Sequence, residues 1–148
     1  EAWLLLQLKA SMAVFKFIVS GSQFTSHGSG DSWAAFPAAQ ERLLQHIVDE
    51  SITGVVFLSG DVHRSEFRSV AAVSGGYDIP ELSSSPMANS NSSCSSDSEL
   101  RECFDSDDYF IGVEVNTTTA DPTVKAQLFD RNGELQAVWD IKHSDLTF

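Results

Sequence analysis

The spacing of apolar residues changes near residue 65, and the change separates two kinds of predicted structure. Before it, apolar side chains recur at helical intervals over residues 2–11 and 38–50. Short apolar-rich runs at residues 14–20 and 55–58 are typical of buried strands. The order helix, strand, helix, strand predicts parallel strands joined by right-handed crossovers.

After residue 65 the pattern favours strands with no convincing helix between them. The predicted strands cover residues 66–74, 77–82, 109–116, 124–130 and 135–142. Alternation of apolar and polar residues on both sides of the turn Arg131-Asn132-Gly133 predicts that the last two strands form a hairpin. We therefore expect a mixed or antiparallel sheet that closes over the side of the parallel strands, with an exposed loop at residues 83–108.

Composition and charge exclude some classes of function. The chain has 148 residues, of which 42% are hydrophobic and 20% charged, as expected for one globular domain or part of one. A formal net charge of −12 argues against electrostatic binding to nucleic acid or anionic lipid. No apolar run reaches the roughly 20 residues that span a bilayer. An anionic substrate would need a local positive or metal-bearing site.

Two cysteines and two glycosylation sequons bear on the compartment in which the protein works. Cys94 and Cys103 lie in one polar loop, and either a local disulfide or two free thiols fits the sequence. Asn91 and Asn116 begin tripeptides of the acceptor pattern, which also arise by chance. A disulfide and glycans together would indicate a secreted, extracellular or lumenal protein.

The main cluster of candidate chemistry follows the predicted strand at residues 55–58. Ser59-Gly60 lets the backbone turn, and Asp61 and His63 then stand at the carboxyl end of the strand, where open α/β sheets bind ligands. A carboxylate and an imidazole are suitable donors for a divalent or trivalent cation. The alternative is that Asp61 caps the next element and His63 is an ordinary polar residue, because short motifs often match by chance.

The run VVFLSGDVHRSEF at residues 55–67 resembles the carboxyl-terminal half of the alkaline phosphatase D, or PhoD-like, family of metallophosphoesterases. Its Gly-Asp-x-His turn takes the place of the Gly-His-x-His turn of calcineurin-like phosphoesterases. The blocks at residues 32–44 and 81–86 resemble further family motifs, and the similarity is weakest at residues 89–108. The Asp-rich and Asn-containing metal-binding turns of the family's first half are not present in this sequence.

The resemblance implies half of a metallophosphoesterase-type α/β/β/α sandwich, an α/β fold in which residues 1–148 are the carboxyl-terminal part of one domain. Residues 1–65 would supply the helix and strand crossovers and the metal turn. Residues 66–148 would supply the second sheet, with the Ser- and Asp-rich loop at 83–108. The missing amino-terminal half of the same domain would be its partner. Without it the 148 residues should expose the hydrophobic flank of the strands at residues 14–20 and 55–58 and associate through it. They should also bind metal weakly at best and not hydrolyse phosphate esters.

The resemblance also implies roles for single residues. Asp61 and His63 would bind metal ions, with calcium, iron, manganese and zinc as candidates. His63 could instead support the ligands from behind or protonate a leaving group. Arg64 is a weaker candidate for binding a phosphate oxygen, and a solvated ion pair with Glu66 is the alternative. Gln23, at the end of the strand at residues 14–20, is a further weak substrate-binding candidate that could equally cap backbone.

Other conspicuous side chains favour ordinary roles. His27 lies in a Gly- and Ser-rich loop, where a solvated histidine is typical. Trp33 and Phe36 are predicted to pack their loop onto the following helix. Five acidic residues lack the spacing and glycine of an EF-hand and are predicted to form a solvated face: Asp97, Glu99, Asp105, Asp107 and Asp108.

Two functions fit these observations. The first is metal-dependent hydrolysis of phosphate monoesters or diesters by a metal-activated hydroxide. The second is a non-catalytic remnant that acts as a binding or interaction module, because two donors do not complete a dinuclear site. An upstream sequence with Asp-x-x-Asp and Asn-containing turns would favour the enzyme.

Overall fold

Two β-sheets that share one hydrophobic core organise the computed structural model, which describes residues 1–25, 31–89 and 91–148. Within these residues no helix is long and apolar enough to cross a membrane. The two α-helices and eight strands of the described ranges are α1 (Ala2–Ala10), β1 (Lys16–Val19), α2 (Pro37–Asp49), β2 (Val55–Ser59), β3 (Ser65–Val70), β4 (Ile79–Ser83), β5 (Leu100–Phe104), β6 (Tyr109–Asn116), β7 (Thr123–Asp130) and β8 (Leu135–Lys142).

The first sheet has five strands in the order β1-β2-β4-β3-β5. β1 runs parallel to β2 and β2 runs parallel to β4, whereas β3 is antiparallel to both of its neighbours. α2 connects β1 to β2, which confirms the predicted parallel pair and its crossover helix. The second sheet is antiparallel, in the order β6-β7-β8, and contains the predicted hairpin of β7 and β8.

The observed topology corrects the assignment of residues 66–148 to the second sheet. β3, β4 and β5 extend the first sheet, and only β6 to β8 form the second. All five residues of β4 are buried, as expected for a strand covered on both faces in the middle of a sheet. β5 also lies inside residues 83–108, the range predicted to be an exposed loop, where it pairs with β3.

The two faces of the first sheet have different coverings. On one face the ring of Phe57 stacks on that of Phe24 with centroids 4.1 Å apart, and Trp33 packs against Phe24 at 5.0 Å. On the other face Phe67 contacts Trp139 of the second sheet. Trp33 therefore packs in the interior with Phe24 as its ring partner, and its packing onto the following helix stays a prediction. Phe36 does not share this interior packing, because its side chain is 64% exposed and its carbonyl instead accepts the first hydrogen bonds of α2.

β1 forms one edge of the first sheet in the described part of the chain. Its residues pair with β2 on one side only, and Val19 is 76% exposed. Met12, in the segment that leads into β1, is 97% exposed. This edge matches the hydrophobic flank expected for residues 14–20, but the expectation for residues 55–58 is wrong, because β2 lies between β1 and β4 and is largely buried. Association through the edge stays a prediction.

Gly54, just before β2, provides a test of how closely β2 approaches the segment before β1. Its φ is +72°, and an added Cβ would lie 2.0 Å from the carbonyl oxygen of Val14. We expect Gly54→Ala to lower the free energy of unfolding by about 2–5 kcal/mol, because the left-handed backbone and the steric overlap both oppose it. Denaturant titration measures this.

Gly133, in the hairpin turn, is the matched control. Its φ is +81°, but a Cβ there would meet no atom within 4 Å. Gly133→Ala should therefore lower the free energy of unfolding by only about 1–2 kcal/mol, the cost of placing a residue with a Cβ in the left-handed region. Equal losses in the two variants would contradict the close approach of Gly54 to Val14.

Candidate functional site

The turn that follows β2 holds two non-glycine residues in the left-handed region. Asp61 has a φ of 72° and His63 a φ of 58°. For residues with a Cβ this conformation costs roughly 1–2 kcal/mol each, and it persists only where the surroundings impose it. Such residues cluster at ligand-binding sites. The Asp61–His63 turn, as we call residues 60–64, is therefore a candidate site by its backbone geometry as well as by its residue types.

The Asp61–His63 turn passes over the carboxyl end of β4. β2 and β3 are consecutive in the sequence, but β4 lies between them in the sheet, so their connection must bridge one strand. A Cβ on Gly60 would lie 3.3 Å from the carbonyl oxygen of Ser84. The amide of His63 donates to the hydroxyl of Ser85 at 3.3 Å. The residues after β4 thus form the floor of the turn.

The side chains of Asp61 and His63 have atoms that no described residue uses. Asp61 is exposed, and its carboxylate makes no hydrogen bond or ion pair within the described ranges. His63 is half-buried, and its Nε2 lies 3.2 Å from Nδ2 of Asn89. Its Nδ1 makes no hydrogen bond to any described residue. One oxygen donor group and one nitrogen donor are thus available at the carboxyl end of β2.

Only part of a metal site is present in the described residues. A carboxylate and an imidazole suit a divalent cation chemically. Within residues 1–25, 31–89 and 91–148, however, no three His, Cys, Asp or Glu side chains lie close enough together to hold a metal ion. The donors present therefore fit one side of a coordination sphere and do not complete one.

A buried carboxylate lies directly behind the turn. Glu66 of β3 is 0% exposed and accepts hydrogen bonds from Nε of Arg64 and from Nε2 of Gln23, both at 2.5 Å. The ion pair expected between Arg64 and Glu66 is thus present, but it is buried and not solvated. Gln23 is also 0% exposed. Both residues predicted as weak substrate candidates are held by the same carboxylate.

Arg68 continues this network into the loop before β5. It is 0% exposed and donates to Glu66 at 3.2 Å and to Asp97 at 2.5 Å. Burial, the largest single influence, lowers the pKa of the Arg68 guanidinium. The hydrogen bond to Asp97 and the charges of Glu66 and Asp97 together outweigh it, so the pKa is raised. Arg64, Glu66, Arg68 and Asp97 therefore form a chain of alternating charges, which we call the buried charge chain.

A second buried carboxylate joins the ends of β1 and β2. Glu81 of β4 accepts hydrogen bonds from the amides of Phe24 and Thr25 at 2.6 and 2.9 Å, and from the hydroxyl of Ser59 at 2.6 Å. The segment after β1, which carries Gln23, is thereby held against the end of β2. This arrangement places Gln23 within reach of Glu66.

Sequence reasoning missed this polar interior, although a signal was present. Glu66, Arg68 and Glu81 fall inside strands that the apolar pattern predicts, and a charge in a buried strand needs a partner. Their partners lie far away in the sequence, up to 57 positions for Glu81 and Phe24. The signal could have indicated a buried ionic network but not its members.

The remaining predicted residues have structural roles or lie outside the described ranges. His27 lies outside them. The acidic residues are not simply a solvated face, because Asp97 binds Arg68 and Asp105 accepts a hydrogen bond from the amide of Cys94 at 2.7 Å. The hydrogen bond from Arg131 lowers the pKa of the Asp107 carboxyl.

The two cysteines form a disulfide, which decides between the alternatives that the sequence left open. Cys94 and Cys103 have Cα atoms 6.0 Å apart. Cys103 lies in β5, opposite Glu66 of β3 in the strand register. The disulfide therefore attaches the Ser-rich loop to the strand next to the buried charge chain.

The backbone of Asp61 can be tested separately from its carboxylate. Asp61→Gly and Asp61→Ala both remove the carboxylate, but only glycine adopts a φ of 72° without a Cβ penalty. We expect the glycine variant to have the higher free energy of unfolding, by about 1 kcal/mol. Glycine avoids the cost of the left-handed backbone, and the greater conformational entropy of its unfolded chain offsets part of that gain. Urea denaturation measures the difference.

Exposed Glu41 of α2 provides the control pair. In a helix interior glycine is about 1 kcal/mol less favourable than alanine, so Glu41→Gly should be less stable than Glu41→Ala. If the Asp61 pair ranks in the same order as the Glu41 pair, Asp61 is not held in the left-handed region.

Comparison with known proteins agrees with this geometry. The model of the family described as PhoD-like phosphatase matches residues 1–144. No curated protein matches the chain. A solved structure of PhoD superposes with a TM-score of 0.62 at 16% sequence identity, over 99% of this chain and 35% of that one, so this chain spans about a third of its length. That likeness shows a shared fold, and because the family model covers nearly every residue, including the Asp61–His63 turn, the chain belongs to the PhoD-like phosphatase family.

Proposed function

We propose that the complete gene product hydrolyses phosphate monoesters or diesters with bound metal ions, and that this chain supplies part of the metal site. The observation that carries the proposal is the Asp61–His63 turn. Its two strained residues present, at the carboxyl end of a buried parallel strand, a carboxylate and an imidazole nitrogen that make no hydrogen bond to the described residues. Membership of the PhoD-like phosphatase family supports the same reaction class.

The residues of the turn would divide the work between binding and orientation. Asp61 and Nδ1 of His63 would hold one side of the metal centre, for which calcium, iron, manganese and zinc are all candidates. When bound, such ions lower the pKa of water and neutralise charge on the phosphoryl oxygens. If His63 is not a ligand, its imidazole stands where it could protonate the leaving group.

Arg64 and Gln23 would act at different distances from the substrate. Arg64 is 9% exposed, its Nε donates to Glu66 and its Nη1 lies 3.5 Å from the hydroxyl of Ser92, so its Nη2 is the nitrogen that would bind a phosphate oxygen. Gln23 is fully buried and bonded to the same carboxylate. We therefore assign Gln23 to positioning Glu66 and Arg64 and not to direct substrate contact.

A binding module without catalysis is the second candidate. It is favoured by the donor count, since the described residues bring no three metal ligands together. This alternative predicts that the complete gene product binds phosphate esters or a partner protein without turnover. The activity measurement below separates the two.

Substitution of the turn tests the catalytic proposal. In the complete gene product, Asp61→Asn and His63→Ala should each lower kcat/KM for an aryl phosphate ester by at least about 100-fold, because each removes a proposed metal ligand. Steady-state kinetics with added manganese, calcium, iron or zinc measures this.

Asp145→Asn is the matched control for these variants. Asp145 is exposed and precedes Leu146, whose carbonyl binds Gly54 at the opposite end of β2 from the turn. The control should keep wild-type activity. Near-normal activity in both turn variants would reject the assignment of Asp61 and His63.

We further propose that the protein passes through the secretory pathway, with the disulfide as support. The two sequons differ in structure. Nδ2 of Asn91 donates to the carbonyls of Asp105 and Asp107, both at 2.8 Å. In Asn116 it is Oδ1 that is used, accepting from Thr118, and Nδ2 makes no bond to the described residues.

Expression in a secretory eukaryotic host should therefore place a glycan on Asn116 and not on Asn91. A sugar on Nδ2 of Asn91 would replace a hydrogen that the fold uses, whereas the same nitrogen of Asn116 is available. Glycopeptide mass spectrometry measures occupancy, with Asn116→Gln as the control that removes the signal. A glycan on Asn91, with or without one on Asn116, would contradict the prediction.

A further inference from the structure

The Ser-rich loop after β4 returns to the Asp61–His63 turn through one residue. The amide of Ser92 donates to the carbonyl of His63 at 2.9 Å, and its hydroxyl donates to the carbonyl of Val62. Nη1 of Arg64 lies 3.5 Å from the same hydroxyl. Ser92 therefore contacts three consecutive residues of the turn.

These contacts occur where the turn needs external support. Val62 lies between the two left-handed residues, and its carbonyl and that of His63 belong to no strand pairing. An unusual backbone conformation with unpaired carbonyls relaxes unless neighbouring groups fix it. Ser92 supplies the partner for both carbonyls.

Ser92 is itself held from the far side by the disulfide. Cys94 lies two residues further along and is bonded to Cys103 in β5. The amide of Cys94 also donates to the Asp105 carboxylate at 2.7 Å, and Asp97 binds Arg68 at 2.5 Å. The loop has few apolar side chains to anchor it, so these covalent and ionic attachments fix its path.

We propose that Ser92 is a positioning residue, which the Cys94–Cys103 disulfide holds in place and which fixes the Asp61–His63 turn in the conformation that binds metal. The inference rests on the proposed function, because it assigns Ser92 a role toward the metal ligands Asp61 and His63. It adds a residue outside the Gly-Asp-x-His motif and gives the disulfide a role in the site. The mechanism is geometric: loss of the Ser92 hydroxyl leaves the carbonyl of Val62 without its donor and removes the contact with Arg64, so the turn then samples conformations in which the two donors diverge.

The test uses the complete gene product and three readouts. Hydrogen exchange of the peptide that spans residues 60–64 reports the turn, titration with manganese alone reports the donors, and kinetics with an aryl phosphate ester separates kcat from KM. The variants are Ser92→Ala, Ser92→Thr and the double variant Cys94→Ser/Cys103→Ser. Ser96→Ala is the control, since Ser96 is an exposed serine of the same loop that bonds to no described residue.

We expect Ser92→Ala and the double cysteine variant to exchange faster at residues 60–64 and to bind manganese about tenfold more weakly. Their kcat should fall by a similar factor at saturating ester while KM stays within about twofold. Ser92→Thr keeps the hydroxyl and should recover most of the affinity. Ser96→Ala should match wild type in all three readouts.

The outcomes distinguish this inference from the proposed function. If wild type binds manganese and hydrolyses the ester, but Ser92→Ala does both equally well, the positioning role is overturned. Faster exchange with unchanged manganese affinity overturns it too, because Ser92 would then support the fold alone. If wild type neither binds manganese nor hydrolyses the ester, the proposed function fails first. Ser92→Ala leaves the disulfide intact, so a folding defect of the double variant does not prevent the test.

Discussion

Glu66 is the constraint around which this part of the molecule is arranged. A carboxylate removed from water is very costly unless strong donors surround it, and Glu66 at 0% exposure receives hydrogen bonds from Gln23, Arg64 and Arg68. These donors come from the end of β1, the turn after β2 and β3 itself. The sheet must therefore bring all three segments together to fold at all. Asp61 and His63 depend on the same arrangement, because Arg64 belongs to their turn and binds Glu66.

Charge balance extends the same constraint to the loop. Arg68 is also fully buried, and Glu66 alone would leave part of its positive charge without a partner. Asp97, which precedes β5, supplies the second carboxylate. Removing one member of such a buried pair typically costs about 3–5 kcal/mol, because the remaining charge stays desolvated. The alternating charges thus connect the turn, the strand and the disulfide-bonded loop into one unit.

The sequence predicts the parts of this structure whose signals are local. The helical spacing within α2 and the turn Arg131-Asn132-Gly133 between β7 and β8 are contained in a few consecutive residues, and both elements are present. Asp61 and His63 were likewise chosen as candidate metal ligands from their place immediately after a buried apolar run, and that role stays a prediction. Family resemblance added the reaction class but no contact between distant residues.

The features that could not be predicted from the sequence depend on contacts between residues far apart in the chain. Nothing in the sequence of β4 indicates that it pairs with β2 in the first sheet and not with a strand of the second sheet. A run of buried residues is compatible with either sheet. Ser92 is one of many serines in its loop, and its role depends on where the chain returns after β4. From the sequence, Glu81 is only a charged residue in a predicted strand. Its partners, the amides of Phe24 and Thr25, lie far away along the chain.

The strand order has a consequence for the way the chain folds. β2 and β3 cannot close as a simple hairpin, since the gap between them is filled by β4, which is synthesised later than both. Phe57 of β2 pairs with Glu81 of β4 across 24 positions of the sequence, whereas the pairs of β3 with β4 span 9 to 17 positions. A pairing as distant as that of β2 with β4 slows folding, because the chain loses conformational entropy on closing the loop before it gains the contacts. The turn that carries Asp61 and His63 therefore reaches its final conformation only when β4 lies between β2 and β3.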